Sequence, residues 1–168
     1  MTIREANEED VGTLVALLRE SFRDVAERFE LTVENCPKNL AFCTEQRILA
    51  DIERGLTYFI LERDGKPYGC VALEKASPDV CYLERLAVLP GHRGRGCGEM
   101  LVEHILDEAA SNGSQRVEIG IIAADTRLRS WYGKFGFVLK GTKEFDHLPF
   151  VVAFMSARTD GTNNTKGT

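Results

Sequence analysis

Apolar positions recur at helical spacing from Val11 to Phe29, where Val11, Leu14, Val15, Leu18, Phe22, Val25 and Phe29 fall on one stripe. Asn7 precedes the stripe as an N-cap, with Glu8, Glu9 and Asp10 in the first turn. The pattern predicts a core-facing helix, preceded by a short strand over Thr2 to Glu5. Leu31 to Asn39, broken by Pro37, reads as a loop, and Thr44 to Arg54 as a second helix ending at Gly55. Leu56 to Leu61 and Tyr68 to Leu73 flank Asp64, Gly65, Lys66 and Pro67, a hairpin signal. A third strand starts near Val80 and runs through Tyr82 to Val88. The helix after it points Met100, Leu101, Ile105, Leu106 and Ala109 inward and stops at Asn112 and Gly113. Arg116 to Ile122 alternates as a strand, with Val117, Ile119 and Ile121 on one face. Arg127 to Lys134 reads as a short helix closed by Gly136, and Phe137 to Phe145 with Phe150 to Ser156 as a last strand pair.

The order is strand, two helices, three strands, helix, strand, helix, two strands. The central strand-helix-strand unit is expected to be parallel and right-handed, and the hairpins antiparallel. The predicted class is α/β (α+β): a mixed, mostly antiparallel sheet of about seven strands with helices on both faces. One domain is expected over residues 1–156, and a polar, mobile tail over 157–168.

Composition narrows the function. The 168 residues are 43% hydrophobic, ordinary for a soluble core, and the net charge of −5 argues against broad nucleic-acid binding. No run is long enough to span a bilayer, and none near the N-terminus reads as a signal peptide. The five cysteines are odd in number and form no Cys-x-x-Cys pair, so reduced thiols in a cytoplasmic protein are expected, without a metal site.

The chemistry-bearing stretch follows the third strand. A turn at Pro90 and Gly91 leads into three alternate glycines, Gly94, Gly96 and Gly98, interleaved with Arg93 and Arg95, and then into the helix. Glycines let backbone approach a ligand closely. The first amides of a helix lack intrahelical partners, and the helix dipole adds positive potential there. The design suits a phosphate group. It is not a P-loop, because Glu99 and Met100 follow Gly98 where Lys-Ser/Thr would stand. The G-x-G-x-G spacing also departs from the dinucleotide fingerprint G-x-G-x-x-G.

Arg93-x-x-Gly96-x-Gly98 resembles the acetyl-CoA signature R/Q-x-x-G-x-G/A of the GNAT N-acetyltransferase superfamily, and Leu86 to Pro90 resembles that family's fourth strand. Asp125 to Phe137 is similar to its second pattern, matching at Tyr132, Gly136 and Phe137, with Asp125 where Asn is usual and Leu128 where Ala is usual. The resemblance implies acetyl-CoA as co-substrate. Its pyrophosphate would lie on the amides of Arg93, Gly94, Arg95, Gly96, Cys97 and Gly98. Its pantetheine arm would pair with the edge of Leu86, Ala87 and Val88, and Asp125 and Tyr132 would stand on the cofactor side.

Acetyl transfer to an amine needs a neutral nucleophile, a stabilised oxyanion and a protonated leaving thiol. The resemblance places Tyr132 as the acid, against a packing role beside Trp131 and Phe135. Tyr82, Glu84, Leu86 and Val88 share a strand face by alternation, which makes Glu84 a candidate base. Glu118 is a second, and a water chain a third. His147, in the loop between the last strands, lies where the family's acceptor region would be and is read as structural or solvated rather than catalytic. Cys97 fits cofactor contact better than nucleophilic catalysis. The expected function is transfer of acetyl from acetyl-CoA to a primary amine by direct attack. The alternative is a non-catalytic acyl-CoA-binding regulatory module on the same fold. A small cationic amine is the first expectation for the acceptor, because Glu27, Glu30, Glu34, Glu45, Asp51 and Glu53 outnumber the nearby cations. A protein N-terminus or lysine remains open, as does a homodimer; no nucleic-acid or membrane partner is expected.

Overall fold

The computed structural model describes residues 1–161. Its strands form one seven-stranded mixed sheet in the order β1-β2-β3-β4-β5-β7-β6. The chain packs as two compact units. One is Met1–Glu74 with Leu83–Ile105; the other is Lys75–Tyr82 with the described chain from Leu106 to Gly161.

The first unit begins with β1 (Thr2–Glu5), then α1 (Val11–Arg28). Asn7 caps a short 3-10 turn over Glu8–Asp10 in a reciprocal box with Asp10, which also takes two hydrogen bonds from Arg4 at 2.8 and 2.7 Å. Thr44 caps α2 (Glu45–Glu53), and Gly55, at φ 109°, follows its end. β2 (Thr57–Arg63) and β3 (Lys66–Lys75) form an antiparallel hairpin whose turn, Asp64 and Gly65, has φ 52° and 75°. Two left-handed residues match the twist of a two-residue hairpin. β1 pairs antiparallel with β2 from Thr2↔Glu62 to Glu5↔Phe59. The core joins Val11, Leu14, Leu17 and Leu18 of α1 to Ile48, Tyr58, Ile60 and Cys70. Each such aliphatic side chain contributes about 1.5–3 kcal/mol by leaving water. The α1 stripe is rotated slightly from expectation: Leu17 is buried, whereas Val15, Phe22 and Val25 are half-buried.

β4 (Val80–Val88) and α3 (Cys97–Ser111) contribute to both units. On α3, Met100 is 37% exposed, contrary to expectation, and Val102 is fully buried instead. The second unit adds β5 (Arg116–Ile122), α4 (Thr126–Gly133), β6 (Val138–Glu144) and β7 (Val151–Arg158). β5 is parallel to β4 and antiparallel to β7, and β6 is antiparallel to β7. Val117, Ile119 and Ile121 are buried, as are Ala153, Met155 and Ala157 of the paired strand β7. β7 continues through Arg158, and Thr159 donates to the carbonyls of Gln115 (3.0 Å) and Ser114 (2.7 Å). The chain is therefore held past Ala157, where the tail was expected to begin. Residues 162–168 of that expected tail lie outside the described residues.

Candidate active site

The Gly-rich segment lies between β4 and α3. After Val88 the chain makes a short 3-10 turn over Pro90–His92, pinned to β3 by the Leu89 amide on the Tyr68 carbonyl (2.9 Å) and by the Tyr68 ring against His92 (centroids 4.0 Å apart). Gly94 and Gly96 take φ of 74° and 83°, values an L side chain rarely adopts. A Cβ at either would meet nothing within 4 Å. Among the described residues, the amides of Gly94, Arg95, Gly96, Cys97 and Gly98 have no hydrogen-bond acceptor; the neighbouring bonds are Arg93 N–H to the Pro90 carbonyl and Met100 N–H to the Gly96 carbonyl. Unpaired amides at the start of a 15-residue helix, approachable because glycine lacks a side chain, fit a pyrophosphate.

Arg93 works differently from expectation. Its amide is used, and its guanidinium donates to Asp24 (2.6 and 3.3 Å), the Ser21 carbonyl (2.6 Å) and the Val88 carbonyl (3.2 Å). Arg93 therefore ties the loop to α1, and the unpaired amides begin at Gly94. Arg95 is exposed. Cys97 is 1% exposed, with its Sγ beside Met1 Sδ at 3.7 Å.

β4 has two regimes. Its register with β5 covers Val80↔Arg116, Cys81↔Val117 and Tyr82↔Glu118 and goes no further. Past it, Arg85 has φ 59°. That left-handed residue interrupts the alternation expected for Tyr82, Glu84, Leu86 and Val88: Tyr82 is exposed, and Glu84 to Leu86 are all half-buried. A non-glycine residue there costs about 1–3 kcal/mol and persists only where its surroundings hold it. Here they do. Asp51, 4% exposed on α2, accepts from Arg85 Nε (3.1 Å) and Nη2 (3.3 Å), Tyr58 Oη (2.5 Å) and Arg54 Nη2 (3.2 Å). Arg54 also reaches Glu74 at 2.9 Å. Burial pushes the Asp51 carboxyl up, but its bonds from Arg85 and Tyr58 more than offset this and leave it below the ordinary carboxylate range. Removing one partner of a buried pair costs about 3–5 kcal/mol, more than the backbone strain it opposes.

Glu84 sits beside this cluster with one carboxylate oxygen buried and without a hydrogen-bond partner. Burial raises its pKa; Arg85 and Arg54 pull it down, and Glu74 and Asp51 push it up. A raised carboxyl is suited to accept a proton near neutral pH. Glu118 is instead partly exposed and paired with Arg116 at 2.9 Å.

In the second unit, Tyr132 is 5% exposed on α4 and packs edge-on against Trp131 and Phe137, with centroids 5.0 and 5.4 Å away. Burial raises the pKa of its phenol, so the hydroxyl keeps its proton at any ordinary pH. Asp125 caps α4, accepting from the Leu128 amide at 3.2 Å. Carboxylate and carboxamide both cap a helix well, so Asp in place of Asn is compatible with the local fold. His147 is exposed beside Phe145.

Sequence reasoning missed the Asp51–Arg85–Tyr58 cluster. One signal was present: Asp51 falls three residues after Ile48 and beside Ile52, a charge on the apolar stripe of its helix.

Four likenesses bear on kinship. An amino-acid acetyltransferase of Neisseria meningitidis (serogroup A / serotype 4A) is 32% identical over 146 residues, which are 83% of this chain and 31% of that protein. This chain thus spans about a third of the length of that relative. An uncharacterized N-acetyltransferase of Mycobacterium tuberculosis (strain H37Rv) is 30% identical over 107 residues, 64% of this chain and 67% of that protein. The PaiA N-acetyltransferase of Thermoplasma acidophilum, solved in complex with coenzyme A, superposes with a TM-score of 0.79 at 18% identity, covering 94% of this chain and 98% of that one, a likeness of fold. A model of the acetyltransferase (GNAT) family matches residues 13–137 and so takes in most of α1, the glycine-rich turn and Tyr132: the chain belongs to the GNAT acetyltransferase family.

Proposed function

We propose that the protein transfers an acetyl group from acetyl-CoA, the co-substrate of its family, to a primary amine by direct attack. The observation that carries this reading is the run of unpaired amides from Gly94 to Gly98 at the start of α3. Those amides would hold the pyrophosphate. The main chain of Leu86, Ala87 and Val88, beyond the β4–β5 register, has the hydrogen-bonding groups to take an extended pantetheine arm as a strand would be taken. When bound, acetyl-CoA supplies an activated thioester whose acyl carbon an amine can attack.

Glu84 is the base in this reading: its partnerless carboxylate oxygen accepts the proton of the attacking amine. Glu118, engaged by Arg116, is the weaker candidate. Backbone N–H groups of Leu86 to Val88 would steady negative charge on the carbonyl oxygen. Tyr132 Oη, protonated and buried, is the proposed donor to the departing sulfur. Asp125 acts through α4, whose first turn it caps, and Arg93 through the loop it anchors.

The acceptor is proposed to be a small amine. The relatives named amino-acid acetyltransferases make free amino acids the first group to test, ahead of protein N-termini and lysines. The experiment is release of free thiol from acetyl-CoA across a panel of amino acids, polyamines and peptides. Turnover that saturates in one of these amines is expected. Tight coenzyme A binding with no turnover on the whole panel would overturn transfer in favour of a binding module.

A further inference from the structure

Resting on that reading of β4, we propose that Asp51 is a positioning residue for acetyl transfer: its buried carboxylate grips the Arg85 guanidinium, and that grip holds β4 in its left-handed turn. The turn sets the direction of the Glu84 carboxyl on one side and of the Leu86–Val88 main chain on the other.

Four observations converge. Arg85 has φ 59° in the middle of β4, past the end of its parallel register with β5. Its side chain is not spent on solvent: Nε and Nη2 both reach Asp51, at 3.1 and 3.3 Å. Asp51 is 4% exposed and is itself held, because Tyr58 Oη and Arg54 Nη2 also donate to its two carboxylate oxygens. The residue before Arg85 is Glu84, with its partnerless buried oxygen, and the residue after it starts the Leu86–Val88 segment. A peptide plane rotated at Arg85 therefore reorients both. The Arg85 carbonyl is fixed as well, facing the Cys70 thiol at 3.7 Å.

Asp51 also acts on Glu84 through charge. The groups facing the Glu84 carboxyl are Arg85 on β4, Glu74 on β3, and Arg54 and Asp51 at the end of α2. Asp51 neutralises much of Arg85. With an amide in its place, one anion beside Glu84 is lost and Arg85 stands uncompensated, and both changes favour ionised Glu84.

The test uses Asp51→Asn, which keeps shape and one acceptor oxygen. Its kcat is expected to fall roughly 10–100-fold, the scale of a small misplacement of reacting groups. Acetyl-CoA affinity, read by calorimetry, should fall by much less than kcat, because Leu86–Val88 would hold only the pantetheine arm and the Gly94–Gly98 amides proposed for the pyrophosphate share no hydrogen bond with this cluster. The acid limb of the pH–kcat/KM profile should move to lower pH, a shift that mere loss of stability does not produce. Wild-type kcat with an unmoved limb overturns the proposal, and so does a fall in kcat matched by an equal fall in acetyl-CoA affinity. Should Asp51→Asn not fold, Arg85→Lys keeps the charge without the two-bond fork; a wild-type kcat there overturns the proposal too. Glu84→Gln run in parallel separates the two readings. An acid limb that survives Glu84→Gln refutes Glu84 as base. A limb that Glu84→Gln removes and Asp51→Asn leaves in place, with kcat intact, refutes only the role of Asp51.

Discussion

Replacing Gly96 by Ala separates backbone strain from ligand binding. At φ 83° an L residue is strained, but no heavy atom lies within 4 Å of the new methyl carbon, so no clash is added. The cost to the fold is then the left-handed penalty alone, about 1–2 kcal/mol. For a chain of this length that lowers Tm by about 2–8 °C. The same strain pulls φ toward negative values and rotates the Gly96 and Cys97 amides. Losing one amide bond to a charged phosphate costs about 1.5–3 kcal/mol, a fall in acetyl-CoA affinity of about 10–100-fold. The matched control is Gly65→Ala in the β2–β3 turn, where φ is 75° and the space is equally open. Both variants should lose similar Tm in a thermal melt, and only Gly96→Ala should lose affinity in calorimetry. Equal affinity in the two variants would refute the phosphate-binding role of the loop.

Glu84→Gln should be slower and more stable. Burial raises the folded pKa above the unfolded one, so the native state binds more protons, and Glu84 destabilises the fold as pH rises through that interval; a Tm at pH 7 that drops in Glu84→Gln contradicts this. Tyr132→Phe should retain acetyl-CoA affinity while kcat falls by roughly 10²–10⁴-fold, and an unchanged kcat would leave Tyr132 a packing residue. Arg93→Ala should weaken acetyl-CoA binding more than Asp24→Asn does, because the Asp24 pair is exposed and surface pairs contribute only about 0–1 kcal/mol, whereas Arg93 also holds two carbonyls. Titration of both variants by calorimetry ranks them.

The elements with strong period were legible in the sequence. β1 and β5 fall on the expected residues, Thr2–Glu5 and Arg116–Ile122, and the glycines at 55, 113 and 136 stand with positive φ next to helix ends. The glycine-rich turn was legible because glycine records backbone conformation in the residue type itself. Arg85 shows the opposite case: an arginine in a strand gives no sign of a left-handed backbone, because the cause is Asp51, 34 residues away in sequence. Arg93 is a related case. A cation beside glycines suggests a ligand, but Asp24 and Ser21, 69 and 72 residues distant, take its hydrogen bonds first. Met100 fits the apolar stripe of α3 by spacing and is exposed all the same, since periodicity fixes a stripe only to within about one residue position.

All five cysteines are free and buried, and burial raises the thiol pKa at Cys36, Cys43 and Cys70, at Cys70 to about 12. The reaction proposed here liberates a thiol, and thiol–disulfide exchange proceeds through an accessible thiolate. A protein with every sulfhydryl withdrawn from solvent neither forms mixed disulfides with its own product nor consumes a colorimetric thiol reagent while folded. Continuous assays in native buffer therefore count coenzyme alone. Assays quenched in denaturant gain a background of five sulfhydryls per chain, and that step in signal doubles as a direct measure of how much protein was folded when the reaction was stopped.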